Sequence, residues 1–157
     1  MKIINIKEAI IYFNETNIIE YISLLHSLTN VYDNEDELKY MIDNFKRQII
    51  KIPDNINIFT IMDNNIVIGT GTIIIEQKII HGFGKIGHIE DIVIDKNYQG
   101  KGIGKKLINF LLNFAKENNC YKTILGCEDE KLNFYIKCQP EKSKIKVINQ
   151  ISYYLDI

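Results

Sequence analysis

The sequence predicts a single α/β domain with a mixed central sheet flanked by helices, on three observations. β-Branched, isoleucine-rich runs alternate with segments of helical period. No Pro- or Ser-rich linker and no repeat divides the 157 residues, so one core spanning 1–157 is expected. A glycine-rich stretch, "NYQGKGIGKKL" from Asn97 to Leu107, joins a strand pattern to a helix pattern, the kind of junction where helix N-termini receive anions.

The elements follow in order. "NIIEYISLLHSL" (Asn17–Leu28) sets Ile18, Ile22, Leu25 and Leu28 on one helical face. "NEDELKYMIDNFKRQIIK" begins with Asn34 three residues before Glu37, a capping-box-like start. It continues as a helix through Leu38, Met41, Ile42, Phe45 and Ile49. "INIFTIMDNNIVIGTGTIIIEQK" reads as a hairpin turning at Asp63-Asn64-Asn65. Gly69 and Gly71 inside its second run signal a bulge or tight bend. Gly87–Asp95 is a further strand, and "GIGKKLINFLLNFAKEN" after the glycines is a helix with Ile103, Leu107, Phe110, Leu111 and Phe114 inward. "YKTILGC" is a strand and "EDEKLNFYIKC" a short helix. "SKIKVINQISYYL" is a last strand, with Ile145, Val147, Asn149, Ile151 and Tyr153 on one face. The expected order is β-α-α-β-β-β-α-β-α-β.

Composition narrows the function. Hydrophobic residues are 46%, charged residues 25%, and the net charge is -1. That balance argues against bulk binding to nucleic acid or to an anionic membrane. Arg47 is the only arginine among 19 basic residues, so bidentate anion clamps are scarce and lysine point charges must substitute. No apolar run is long enough to span a bilayer, and "MKIINIKEAI" lacks a secretory h-region. Cys120, Cys127 and Cys138 are odd in number, which suits a reducing, cytoplasmic setting. Their spacing with His26, His81 and His88 fits no zinc pattern, and no metal is expected.

The glycine stretch fails the Walker A pattern: Gln99 stands where the first glycine belongs and Lys106 where Ser or Thr would hold magnesium. It fails the dinucleotide fingerprint at Lys105. A G-x-G-x-G loop remains, whose amides at a helix N-terminus suit a pyrophosphate. Missing side chains at Gly100, Gly102 and Gly104 would let the anion reach the backbone. The bland alternative is a glycine-rich turn with no ligand.

"QGKGIGKKL" (Gln99-Gly100-Lys101-Gly102-Ile103-Gly104-Lys105 onward) resembles the acyl-CoA pyrophosphate loop, Q/R-x-x-G-x-G/A, of the GCN5-related N-acetyltransferase (GNAT) superfamily. The predicted element order resembles that fold too. "GTIIIEQKIIHGFGKIGHIEDIVIDKNYQGKGIGKKL", "CYKTILGC" and "NFYIKC" resemble the glucosamine-6-phosphate N-acetyltransferases within it, over about Gly71 to Cys138. The resemblance implies acetyl-CoA as co-substrate, held by Ile92, Val93, Ile94, the loop from Gln99 to Lys105, and Tyr135. It implies glucosamine 6-phosphate as acceptor, in UDP-N-acetylglucosamine synthesis, and a homodimer paired through the C-terminal region. Lys78, His81, Tyr121 and Lys122 match positions lining the sugar-phosphate pocket, and Thr29 matches a threonine near the first helix. Glu90 and Asp91 match carboxylates that orient the sugar, Tyr135 the acid that protonates the leaving thiolate, and Gly126 a backbone carbonyl that orients the amine.

The residues themselves leave alternatives. Neighbours on a regular strand point to opposite faces, so Glu90 and Asp91 share one substrate only if a bulge turns one of them or if they serve different subunits. Otherwise Asp91 is solvated and Glu90 pairs with a lysine. Phe134 and Tyr135 could be two core aromatics, and Lys78 and His81 solvated surface groups. The chain also departs from the family pattern at Gly126, where an acidic residue is usual, and at Lys131, where asparagine is. Cys138-Gln139-Pro140 replaces C-G-F, and the tail "NQISYYLDI" holds no arginine. Two other readings stand beside the first: the same fold acting on a peptide or other small-molecule amine, and a non-catalytic acyl-CoA sensor.

Overall fold

The computed structural model describes residues 1–140 and 144–148. Five strands form one sheet in chain order: β1 (Lys2–Asn5), β2 (Ile56–Asp63), β3 (Ile66–Gln77), β4 (Lys85–Ile94) and β5 (Cys120–Leu125). Neighbours are antiparallel as far as β4, and β4 and β5 are parallel. A parallel step needs a long crossover, supplied here by α5 (Ile103–Glu117). The other helices are α1 (Ile6–Ala9), α2 (Glu15–His26), α3 (Glu35–Lys51), α4 (Ile80–Phe83) and α6 (Asp129–Lys137).

Local chemistry sets the boundaries. Asn14 caps α2, accepting from the Asn17 amide at 2.9 Å, while the Asn17 side chain accepts from the Asn14 amide at 3.3 Å. Asn34 accepts from the Glu37 amide at 2.9 Å, and the Glu37 carboxylate reaches back to the Asp33 amide at 2.8 Å. The β2–β3 hairpin closes on Asn64 and Asn65, with φ of 46° and 64°. A two-residue loop with both φ positive matches the right-handed strand twist, and asparagine tolerates that conformation.

Two apolar layers sandwich the sheet. On one side α1, α2 and α3 bury Ile6, Tyr21, Ile22, Phe45 and Ile49 against Val67 and Val93. On the other, α5 buries Leu107, Ile108 and Leu111 against Ile61, Ile68, Ile73 and Ile89. Gly71 lies directly beneath that helix. A Cβ there would lie 2.6 Å from Ile92 Cδ1 and 3.1 Å from Leu107 Cδ2, so any side chain would push the layers apart.

Three points differ from the sequence-based expectation. The turns α1 and α4 each cover four residues, too few to show a helical period. In α4, His81, Gly82 and Phe83 have φ of 53°, 64° and 61°, a left-handed turn rather than an α-helix. Of the expected last strand, residues 144–148 carry no strand assignment and are exposed. With no ladder partner among the described residues, nothing holds them extended as sheet; Asn149, Ile151 and Tyr153 lie outside the described residues.

Candidate active site

β4 carries a bulge. Thr72 on β3 pairs with Glu90, and Thr70 pairs with Val93, so β4 spends one extra residue between them. Asp91 in that interval has φ 51°. The side-chain alternation changes phase there: Ile89, Ile92 and Ile94 all pack on the α5 side, a spacing of three then two. Glu90, opposite Thr72, falls on the α2 side. Asp91 comes close enough to the buried Tyr21 of α2 for its charge to help raise that phenol's pKa. The bulge breaks the regular alternation at the adjacent carboxylates, and both are exposed.

At the same point β4 loses its neighbour. Pairing with β5 ends at Ile89–Leu125, while β4 continues to Ile94. On the β5 side the backbone from Glu90 to Ile94 is therefore outside the β4–β5 ladder, since β5 ends at Leu125. Gly126 and Cys127, just past β5, are exposed. An extended chain carrying amides suits an edge that has no strand partner among the described residues.

The glycine loop lies at the far end of that edge. Asp95 Oδ1 accepts from the Asn97 amide at 2.8 Å, and Gln99 Nε2 donates to Ile94 O at 2.9 Å, fastening the loop to β4. Gly100 and Gly102 have φ of 73° and 76°, and no atom lies within 4 Å of where their Cβ would stand. Gly102 caps α5 without a side-chain bond, which leaves the amides of its first turn, Ile103 to Lys105, for a ligand. Lys101 lies over the Tyr98 ring, 4.8 Å from its centroid. Gly104 is in the first turn of α5, and a Cβ there would come 3.1 Å from Phe134 Cζ. Its bareness seats α6 against α5, while its amide stays among those of the first turn.

Tyr135 is the next residue of α6, near Cys127 just past β5. Its ring packs edge-on to Phe134, 5.0 Å between centroids, and against the α5-side core, so the core-aromatic description also holds for it. Burial first, then the nearby Cys127 and Cys138, push its phenol pKa up. The phenol thus keeps its proton at neutral pH, the state a proton donor requires.

The remaining sequence-predicted residues divide into two groups. His81 and Tyr121 touch, ring centroids 4.5 Å apart, and Lys122 lies over the Tyr121 ring at 5.8 Å. Gly84 makes the contact possible, since a Cβ there would meet Tyr121 Cδ1 at 2.8 Å. Lys78 begins the same β3–β4 loop, its amide donating to Gly84 O at 2.8 Å. Thr29 stands separately on the turn after α2, its amide donating to Leu25 O at 3.1 Å. Lys131 pairs with Glu128 at 3.8 Å.

Sequence reasoning missed Glu76 and His88. Glu76 bonds Lys78 through Oε1 and the His88 Nε2 through Oε2, the latter at 2.8 Å. The available signal was the period of two: Glu76-x-Lys78 and His88-x-Glu90 put polar groups at alternate positions of apolar strands. Among the described residues no cluster of His, Cys, Asp and Glu is arranged for a metal ion.

Residues 20–138 match the model of the acetyltransferase (GNAT) family. The glucosamine 6-phosphate N-acetyltransferase of Candida albicans is 44% identical over 85 residues, 54% of this chain and 57% of the relative. The enzyme of the same name from Arabidopsis thaliana is 42% identical over 90 residues, 57% of this chain and 58% of the relative. These alignments thus span little more than half of each relative's length. The crystal structure of glucosamine-6-phosphate N-acetyltransferase from Arabidopsis thaliana superposes with a TM-score of 0.75 at 33% identity, covering 99% of this chain and 98% of that one.

Proposed function

Because the chain belongs to the acetyltransferase (GNAT) family, we propose that it transfers the acetyl group of acetyl-CoA to the amine of D-glucosamine 6-phosphate. The products are CoA and N-acetyl-D-glucosamine 6-phosphate, the intermediate from which UDP-N-acetylglucosamine is made. The observation that carries this reading is the β4 bulge: it breaks the strand alternation at the exposed Glu90 and Asp91, where the β4–β5 ladder has ended and the chain leads on to the glycine loop.

The amides of Gly100 to Lys105 hold the pyrophosphate of acetyl-CoA, and the β4 edge from Ile92 to Ile94, past the end of the β5 ladder, hydrogen-bonds its pantetheine arm. Glu90 and Asp91 accept from the sugar's hydroxyls and amine, and the Gly126 carbonyl aims the amine at the thioester. A sugar amine flanked by electron-withdrawing oxygens titrates near the α-amino value of about 8, so a large fraction is neutral without a strong base. The amine nitrogen attacks the thioester carbon and the C–S bond breaks. The surplus amine proton leaves through water, and the departing sulfur takes a proton from Tyr135, which solvent replaces. Lys78, His81, Tyr121 and Lys122 line the phosphate end, and Thr29 meets the acceptor from the turn after α2.

The active form is a homodimer. Support comes from Ile79, Ile80 and Phe83, which are 84%, 61% and 71% exposed on the loop that carries Lys78 and His81; such a patch favours a partner. The C-terminal segment that first pointed to a dimer lies largely outside the described residues. Sedimentation at micromolar concentration checks this, and a monomer there contradicts it. The three free cysteines fit a reducing cytoplasm. No helix among the described residues is long and apolar enough to cross a membrane.

A panel of amines with acetyl-CoA, read by release of free CoA, tests the function. Glucosamine 6-phosphate should give the highest kcat/KM, above glucosamine, polyamines and peptide N-termini. A different best amine would reassign the acceptor, and no CoA release with any amine would favour the sensor reading.

A further inference from the structure

The sheet face that carries Glu90 continues away from the bulge as a line of polar groups. Ile74 pairs with His88 and Glu76 with Ile86, so Glu76, His88 and Glu90 share one face across β3 and β4. Lys122, paired with Ile86 on β5, falls on that face as well. The helices α2 and α3 cover its other end, where Thr70 meets Tyr21, and leave this end open: the side chains of Glu76, Lys78 and His88 are 42%, 30% and 29% exposed.

Glu76 is the centre of the group. One carboxylate oxygen bonds the Lys78 ammonium and the other the His88 ring nitrogen. The hydrogen bond from Lys78, then that from His88, pull its pKa down, so it is ionised and only accepts. The His88 Nε2 must therefore carry the proton. Both carboxylate oxygens are committed, which fixes the carboxylate plane and with it the ammonium of a four-carbon side chain that would otherwise sweep solvent.

We propose that Glu76, oriented by His88, is the positioning residue that holds the Lys78 ammonium over the acceptor face and thereby sets the enzyme's preference for a phosphorylated acceptor. This rests on the function proposed above. Glu76 itself stays behind the lysine: it touches neither the reacting amine nor the thioester. A restrained cation meets the phosphate without losing side-chain freedom at binding, the saving that preorganisation provides. The carboxylate's repulsion of the phosphate is offset by the two N–H donors already bound to it.

The test compares glucosamine 6-phosphate with glucosamine in Glu76→Ala, Glu76→Gln, His88→Ala and His88→Gln. In Glu76→Ala the KM for the phosphorylated sugar should rise about two- to tenfold, the range for immobilising one long side chain on binding. The KM for glucosamine, the KM for acetyl-CoA and kcat should stay near wild type. Glu76→Gln keeps an oxygen for Lys78 and should lose less. His88→Ala should show part of the defect, and His88→Gln, whose amide still donates to Glu76, should recover it. A merely structural role predicts lower melting temperatures and equal losses on both sugars, which would overturn the proposal. So would an unchanged or lower KM for the phosphorylated sugar in Glu76→Ala. Equal use of both sugars by the wild-type protein would instead overturn the proposed function and this specificity role together. NMR of 13C-dimethylated lysines reads the restraint without substrate: Lys78 should be immobile in the wild type and mobile in Glu76→Ala, and mobility in both would refute the restraint alone.

Discussion

Replacing Gly102 with valine asks whether the glycine loop binds acetyl-CoA through its backbone. Gly102 sits at φ 76°, ψ 4°, where an L-residue is strained by about 1–2 kcal/mol, with a β-branched side chain at the upper end. There is no clash to add, because no atom lies within 4 Å of the would-be Cβ. Gly100 and Lys101 before it are exposed, while Ile103 after it is buried, so in the free protein the loop relaxes on its exposed side and unfolding is little affected. The strain returns when the amides must wrap the pyrophosphate, and at about 1.4 kcal/mol per factor of ten it becomes about a 5- to 30-fold rise in the acetyl-CoA KM. Steady-state CoA release with acetyl-CoA varied, together with a thermal melt, measures both quantities. An unchanged acetyl-CoA KM together with an unchanged melting temperature would refute backbone binding. A lower melting temperature with an unchanged KM would show that the loop is held in place without ligand, which contradicts the relaxation on which the magnitude depends.

Tyr135→Phe should lower kcat by about tenfold to a thousandfold with little change in either KM, since the phenol acts only on the leaving group; full activity would make it structural. Its raised pKa also moves the alkaline fall in kcat due to this group upward from that of an ordinary phenol, and that limb should vanish in the variant. Tyr21→Phe removes a 3.2 Å bond to Thr70 Oγ1, which still donates to Phe59 O at 3.0 Å, so nothing is orphaned and denaturant titration should show a loss of about 0.5–1.5 kcal/mol. Burial pushes the Tyr21 pKa up to about 12. The unfolded chain then loses this proton first, and wild-type stability should decline as pH rises from about 10, a decline that Tyr21→Phe should lack. Lys122→Ala should impair glucosamine 6-phosphate more than glucosamine, whereas Arg47→Ala, on α3 and bonded to Asn44, should leave their ratio unchanged; selective loss of the phosphorylated sugar in Arg47→Ala would reverse this picture of the pocket.

The strongly periodic elements were legible in the residues. α2, α3 and α5 carry long apolar stripes, and the Asn64-Asn65 hairpin announces itself through turn chemistry. The bulge was legible only as a condition: Glu90 and Asp91 next to each other demanded one, but neither is a glycine that would have located it. Gly104 has a second reason to be bare that the sequence could not disclose: Phe134, thirty residues on, packs where its Cβ would stand. Glu76 and His88 went unread because their partnership spans twelve positions and depends on β3–β4 register. The left-handed turn at His81 to Phe83 has no period at all, and its conformation is set by Gln77, which donates to the carbonyls of Lys78, Phe83 and Gly84.

The most direct test of the proposed chemistry follows the acetyl carbon itself. Acetyl-CoA labelled with 13C at the carbonyl, mixed with glucosamine 6-phosphate and the protein, should show the thioester resonance replaced by an amide carbonyl coupled to the sugar nitrogen. One equivalent of free thiol should accompany each amide formed, and Tyr135→Phe should slow both signals together. Persistence of the thioester, or loss of it to acetate with no amide on the sugar, would contradict the account.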